Sequence, residues 1–254
     1  MIEAFKTRPA AVRWGLVLAI LIIWEAVTRL GSLNPIIVAP ASAVLLQVFC
    51  ILFGDATVPD FYLNTAITLG EVIASYLITM VLGVFLGFVF ASSKLMGDAF
   101  EPILLVLYAI PKVILYPLLI LILGIGALPN IVFGVLLGVF VVIFNTSAGL
   151  RQVEPNYLRL AHSLGYSKRA IFFKVVLPAA APTIMAGLRL GFGYTIIGVI
   201  TAELLVVSVG LGSLIDNATV NYLTAQLYAL VLITLGIGVA GNSLFSALER
   251  RWVK

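Results

Sequence analysis

Six apolar stretches, at about residues 14–30, 65–92, 100–125, 130–148, 181–207 and 227–248, dictate the solvent in which this chain can fold. Each is close to the roughly 20 residues a helix needs to cross a bilayer core of about 30 Å. Hydrocarbon holds no water to satisfy peptide groups, so each stretch is expected to close its hydrogen bonds within a helix. Hydrophobic residues make up 62% of the 254 residues and charged ones 10%, with mean hydropathy +1.19, which leaves no room for a large soluble domain. The expected fold is therefore all-α: one polytopic membrane domain over residues 1–254 with about six transmembrane helices. A single cysteine, Cys50, excludes an internal disulfide, and a single histidine leaves no His/Cys metal cluster, so no metal site is expected. The net charge of +4 is explained by charge placement about a bilayer, and nucleic acid is not expected as a partner.

The basic residues are concentrated in one stretch. Arg151, Arg159, Lys168, Arg169 and Lys174 fall between the fourth and fifth apolar stretches, in an elbow over residues 151–178. Pro155 suits a first helical position. Tyr157, Leu160, Ala161 and Leu164 then recur at helical spacing as one apolar face, with Arg159 and His162 opposite. Gly165 supplies a break, Ser167 can cap a second short helix, and Leu177-Pro178 is expected to close it.

Charge asymmetry orients the chain. With the N-terminus inside, residues 1–13, 93–99, 149–180 and 249–254 share the cytoplasmic side. They hold Lys6, Arg8, Arg13, Lys94, Arg151, Arg159, Lys168, Arg169, Lys174, Arg250, Arg251 and Lys254, whereas the other side has Arg29 with Asp55, Asp60 and Asp216. The positive-inside rule makes both termini and the elbow cytoplasmic. The first stretch reads as a retained helix and not a cleaved signal, because five more spans follow. Outside, residues 31–65 are loop-like around a short apolar segment, Ala41 to Phe53, expected to lie in the interface, and Ser208 to Gln226 is polar and glycine-rich.

Ionisable residues within spans point to function by default. Glu25 is expected near the interface and Arg189 at the cytoplasmic end of its span. Lys112 stands between Pro111 and Pro117 in a broken span, where insertion at mid-bilayer costs about 2.5 to 3.5 kcal/mol. It can snorkel, pair with Glu71 or Glu203, or face a path toward an anion. Lys112, Glu71 and Glu203 are thus the candidates for a translocation path. Gly83 and Gly87 form a small-xxx-small pair that permits close helix contact.

The elbow resembles the cytoplasmic loop of ABC-importer membrane subunits, the binding-protein-dependent permeases. That family carries Glu-Ala-Ala, a glycine, a Leu-Pro and a Gly-Leu-Arg. Here Arg159-Leu160-Ala161, Gly165, Leu177-Pro178 and Gly187-Leu188-Arg189 stand at those places, with Arg159 where the family has an acid. Pro117-Leu118, Gly124-Ile125-Gly126 and Ala202-Glu203 are similar to the nitrate, sulfonate and taurine branch. The resemblance implies that Arg159, Leu160, Ala161, Leu164, Gly165, Ser167, Leu177 and Pro178 form a coupling helix and its frame, seated in a groove of a P-loop ATPase subunit. It also implies a second, identical copy of the permease, an extracytoplasmic substrate-binding protein on the 31–65 and 208–226 side, and a bacterial cytoplasmic membrane. The solute would be a small one, such as nitrate, a sulfonate, taurine or an aromatic or pyrimidine-like compound. The chain has no Gly-x-x-x-x-Gly-Lys-Ser/Thr, so ATP would bind to the partner and this subunit would be neither an enzyme nor a cofactor holder. The alternative is a secondary transporter or channel, whose mark would be ionisable relays and paired inverted repeats of broken helices.

Overall fold

A computed structural model describes residues 9–31, 34, 36–54, 58–206 and 209–252. Lys6, Arg8, Asp55 and Lys254, which entered the charge count, lie outside the described residues, as do the side chains of Arg13, Arg250 and Arg251. Regular structure among the described residues is helical: α1 (Pro9–Arg29), α2 (Ala41–Phe53), α3 (Phe61–Ser92), α4 (Lys94–Ala109), α5 (Tyr116–Leu123), α6 (Ala127–Arg151), α7 (Pro155–Ser163), α8 (Lys168–Ile171), α9 (Leu177–Leu205), α10 (Leu211–Val220) and α11 (Thr224–Trp252). Four stretches are continuous, long and apolar enough to cross a membrane: Phe61–Ser92, Ala127–Arg151, Lys168–Leu205 and Thr224–Ala247. A fifth is counted when α4 and the pair formed by the Lys112–Leu115 3-10 turn and α5, bent by 81°, are taken as one broken span.

Two boundaries depart from the sequence reading. Leu177-Pro178 does not end the second helix of the elbow. Leu177 keeps helical torsions, and a π-helical turn over Phe172–Val176 joins α8 to α9 in a continuous helix of 38 residues. There the Leu177 N–H reaches back to the Phe172 carbonyl, and the wider turn leaves room for a proline ring that would clash in a regular helix. In the third span only Pro111 breaks the helix. Ile110 is driven extended, at ψ 130°, by the proline after it, whereas Pro117 merely occupies the first turn of α5. The polar, glycine-rich stretch Ser208 to Gln226 contains α10, with Leu211 and Ala218 buried.

α6 lies between α3 and α9, and small residues set the spacing. A Cβ on Gly83 would come within 2.6 Å of Val142, and one on Gly87 within 2.6 Å of the Thr146 Cβ. On the other side, a Cβ on Gly198 would lie 2.8 Å from the Gly134 Cα, so two backbones touch directly. Lipid tails are as apolar as leucine, and such contacts, not hydrophobic burial, hold helices together in a bilayer. At one end of the bundle α2, α10 and α11 share an apolar cluster with Val44, Ile51, Phe61, Ile215 and Leu230. The Trp24 indole N–H donates to the Ala39 carbonyl at 3.1 Å, tying α1 to this cap. Glu25 does sit at that end: it pairs with Arg29 and accepts from the Ser42 backbone N–H at 3.0 Å, capping α2. The segment Ala41–Phe53 buries one face in the cap while Leu45, Leu46 and Phe49 stay exposed.

Gly198→Val places a branched side chain against the Gly134 backbone, an overpacking of about 1–3 kcal/mol. Gly193→Ala meets nothing within 4 Å and is expected to be neutral or slightly stabilising. Thermal unfolding midpoints of both variants in mild detergent, compared with the parent, check the pair.

Candidate functional site

The elbow leaves α6 at Arg151 and turns back into the membrane at α9. Pro155 opens α7 after an extended Glu154, as the missing proline N–H allows. At the far end Gly165 adopts φ +74°, the Tyr166 N–H donates to the Ala161 carbonyl at 3.2 Å and the Gly165 N–H to the His162 carbonyl at 3.0 Å. This is a Schellman termination, which satisfies carbonyls that the last turn would leave unpaired. The Ser167 hydroxyl then accepts from the Ala170 N–H at 3.3 Å and caps α8. The first short helix, the glycine turn and the Ser167 cap are where the residues placed them, whereas the second helix runs on into α9.

Of the apolar face, Ala161 is buried, whereas Tyr157, Leu160 and Leu164 are 55%, 60% and 64% exposed; Leu158 is half-buried against the bundle. Arg159, Lys168, Arg169 and Lys174 are exposed as well. The elbow thus presents apolar side chains ringed by cations. Its base is anchored: the Arg151 guanidinium donates to the Phe90 carbonyl at 2.8 Å and faces the Glu101 carboxylate at 3.8 Å, across a cleft of about 270 Å³. Phe172 packs edge-on against Phe88 at 5.2 Å between centroids. These contacts tie the base of the elbow to α3 and α4.

Glu71 and Glu203 are brought together, but without Lys112. The two carboxyls are neighbours inside the bundle, 3% and 0% exposed. Glu203 accepts from the Thr68 hydroxyl at 2.7 Å and from the Gly212 N–H at 2.8 Å, while the Thr68 oxygen accepts from the Leu211 N–H at 2.8 Å. Asn64 accepts from the Gly210 N–H at 2.7 Å. The first N–H groups of α10 are thus satisfied by side chains from α3 and α9, and the carboxylate stands at the positive end of that helix. Glu71 accepts from the Asn130 amide at 3.1 Å, and Asn130 accepts from the Tyr116 hydroxyl at 2.6 Å, which joins α3 to α6 and α5. Asn64, Thr68, Tyr116 and Asn130 were missed in the sequence. Their signal was polar character inside otherwise apolar helices.

Lys112 donates to the Tyr108 carbonyl at 2.8 Å and lies 4.6 Å from the Tyr108 ring centroid and 5.2 Å from that of Phe140. Arg189 is not at the end of its helix, because that helix begins at Lys168 and runs on through α9.

Residues 79–254 match the family described as binding-protein-dependent transport system inner membrane component. The putative aliphatic sulfonates transport permease protein SsuC of Bacillus subtilis is 29% identical over 99% of this chain and 92% of its own length. The nitrate import permease protein NrtB of Synechocystis is 31% identical over 68% of this chain, which spans 62% of that protein. The taurine transport system permease protein TauC of Escherichia coli is 27% identical over 84% of this chain and 78% of its own. Among solved structures, an inward-facing form of the MetNI methionine ABC transporter shares the fold, with TM-score 0.58, 16% identity and coverage of 84% of this chain and 97% of that one. An amino acid ABC transporter does so at TM-score 0.60, 18% identity, 77% of this chain and 93% of that one.

Thr68→Val removes both the donor to Glu203 and the acceptor for Leu211. Leaving these buried groups unpaired is expected to destabilise the fold by about 1–3 kcal/mol, and Thr68→Ser to restore most of it. Limited proteolysis at α10 alongside detergent thermal unfolding reads the difference.

Proposed function

The chain belongs to the family of binding-protein-dependent transport inner membrane components, and on that premise we propose how it works as the permease subunit of an ABC importer. The observation that carries the proposal is the elbow: an exposed apolar patch ringed by Arg159, Lys168, Arg169 and Lys174, on a base anchored to the bundle through Arg151. Leu160, Leu164 and Tyr157 seat in a groove of a P-loop ATPase subunit, and Gly165, Ser167 and Leu177-Pro178 at the start of α9 frame them. Arg159 takes the place of the family's acid, so the salt-bridge partner on the ATPase is expected to be acidic. ATP-driven closure of two ATPase subunits then draws two elbows together, and rigid-body rocking of the bundles opens the path to one side at a time.

The finer topology follows from the same reading. α1 spans as well, since its 21 residues are about 32 Å long, and this brings the count to six. Both termini are cytoplasmic, in a bacterial inner membrane. Two identical copies enclose the path, and the cap of α2 and α10 receives an extracytoplasmic binding protein. The relatives named for nitrate, aliphatic sulfonates and taurine support a small oxyanion as the solute.

Purification of the tagged chain from mild detergent tests this. An ATPase subunit in about equal amount, lost on deletion of residues 159–174, is the expected result. A chain that moves solute in vesicles without ATP or an ATPase would establish a secondary transporter instead. Gly165→Glu leaves the bundle untouched, since nothing lies within 4 Å of the added Cβ. It strains φ +74° and puts a carboxylate on the docking face. ATP-driven uptake should fall at least tenfold with membrane insertion unchanged; normal uptake would remove the coupling role.

A further inference from the structure

Lys112 is a half-buried cation, beside the midpoint of α6, with no counter-ion among the described residues. No carboxylate among the described residues lies within 4.0 Å of its ammonium. The ring beneath it, Phe140, is thirteen residues from Ala127 and eleven from Arg151, the ends of α6. At about 1.5 Å per residue these are roughly 20 and 16 Å, more than a lysine can cover by snorkelling. The two fates the sequence left open besides a path, pairing with Glu71 or Glu203 and escape to the interface, are therefore both closed. Glu203 is engaged by Thr68 and Gly212, and Glu71 by Asn130.

The surroundings of Lys112 hold the charge without neutralising it. Its ammonium donates to one carbonyl, that of Tyr108, and rests on the faces of Tyr108 and Phe140. A second aromatic wall follows, with Phe144 edge-on to Tyr108 at 5.8 Å and the Tyr194 side chain beside it. Contacts of a cation with ring faces are worth about 0.5 to 2 kcal/mol, far less than a buried carboxylate would supply. An ammonium has three donors, so two remain for a ligand. The backbone also breaks here, at the 81° bend between α4 and the turn that carries Lys112. Non-helical backbone at membrane depth is tolerated only against protein or a water-filled cavity, not against lipid.

We propose that Lys112, carried on the Tyr108 and Phe140 rings at the bend, is the contact that an oxyanion makes at mid-membrane, and so a specificity-determining residue for small anionic solutes. A site that conducts must attract its ion enough to admit it and loosely enough to release it. A cation balanced by ring faces meets both conditions, whereas one paired with Glu71 or Glu203 would meet neither. The proposal rests on the importer reading for the source of the driving force and on its small-oxyanion solute.

The test uses the complete complex, with its ATPase and binding protein, in liposomes. Uptake of nitrate, ethanesulfonate and taurine is compared with that of the neutral formylaminopyrimidine. Lys112→Gln should lower uptake of the carried anion at least tenfold while the complex still assembles with its ATPase in the parent ratio. Lys112→Arg, which keeps the charge, should retain most of the uptake and shows that loss in the glutamine variant is not misfolding. Anion uptake by Lys112→Gln within twofold of the parent, or a parent complex that carries only the neutral solute, overturns the proposal. A chain that carries anions with no ATPase present, and loses them in Lys112→Gln, would sink the importer reading and leave the Lys112 contact standing.

Discussion

The direct approach of α6 to α3 and α9, backbone against backbone at Gly134 and Gly198, is the contact on which the rest of the molecule depends. Helices in hydrocarbon gain little from burying leucine, so the bundle has to be held by closeness. Glycine provides that closeness at the points where a Cβ would meet Val142, Thr146 or the Gly134 backbone. Once the three helices are fixed, the positions that they carry inward are fixed too. Thr68 and Glu71 on α3, Asn130 on α6 and Glu203 on α9 then fall within hydrogen-bond reach.

That inner network gives the bundle different properties at its two ends. At the α10 end, carboxylate, hydroxyl and amide side chains satisfy the N–H groups at the start of a helix that packs over the bundle. An unpaired buried donor costs about 1–3 kcal/mol, so α10 is held to the core in a defined position. At the elbow end, attachment runs through Arg151 and aromatic packing, while the outer face of α7 has no cover within the chain. The bundle thus carries a hydrogen-bonded cap at one end and an exposed, basic, apolar patch at the other.

The elbow was legible because its signals are local. A proline at the start of α7, a serine before α8 and a glycine in the left-handed region act within a few residues, and each does what its chemistry predicts. One departure there is local in form but tertiary in origin. Pro178 should have ended a helix, but a π-turn accommodates the ring and the helix continues. α10 lies in a stretch that the residues mark only as polar and glycine-rich; its helical start depends on acceptors supplied from α3 and α9.

Hydropathy and charge placement, with no help from packing, determined that this chain is a helical membrane protein with a basic elbow on one side. Water is absent from the bilayer core, and that single fact removes nearly every other option. Only the tertiary structure decided what the three charges within the spans do. Thr68 and Glu203 are 135 residues apart in sequence and 2.7 Å apart in space, a relation no periodicity encodes. The carboxylates went to the polar network and Lys112 to an aromatic shelf, because the helix packing puts donors beside the former and ring faces beside the latter.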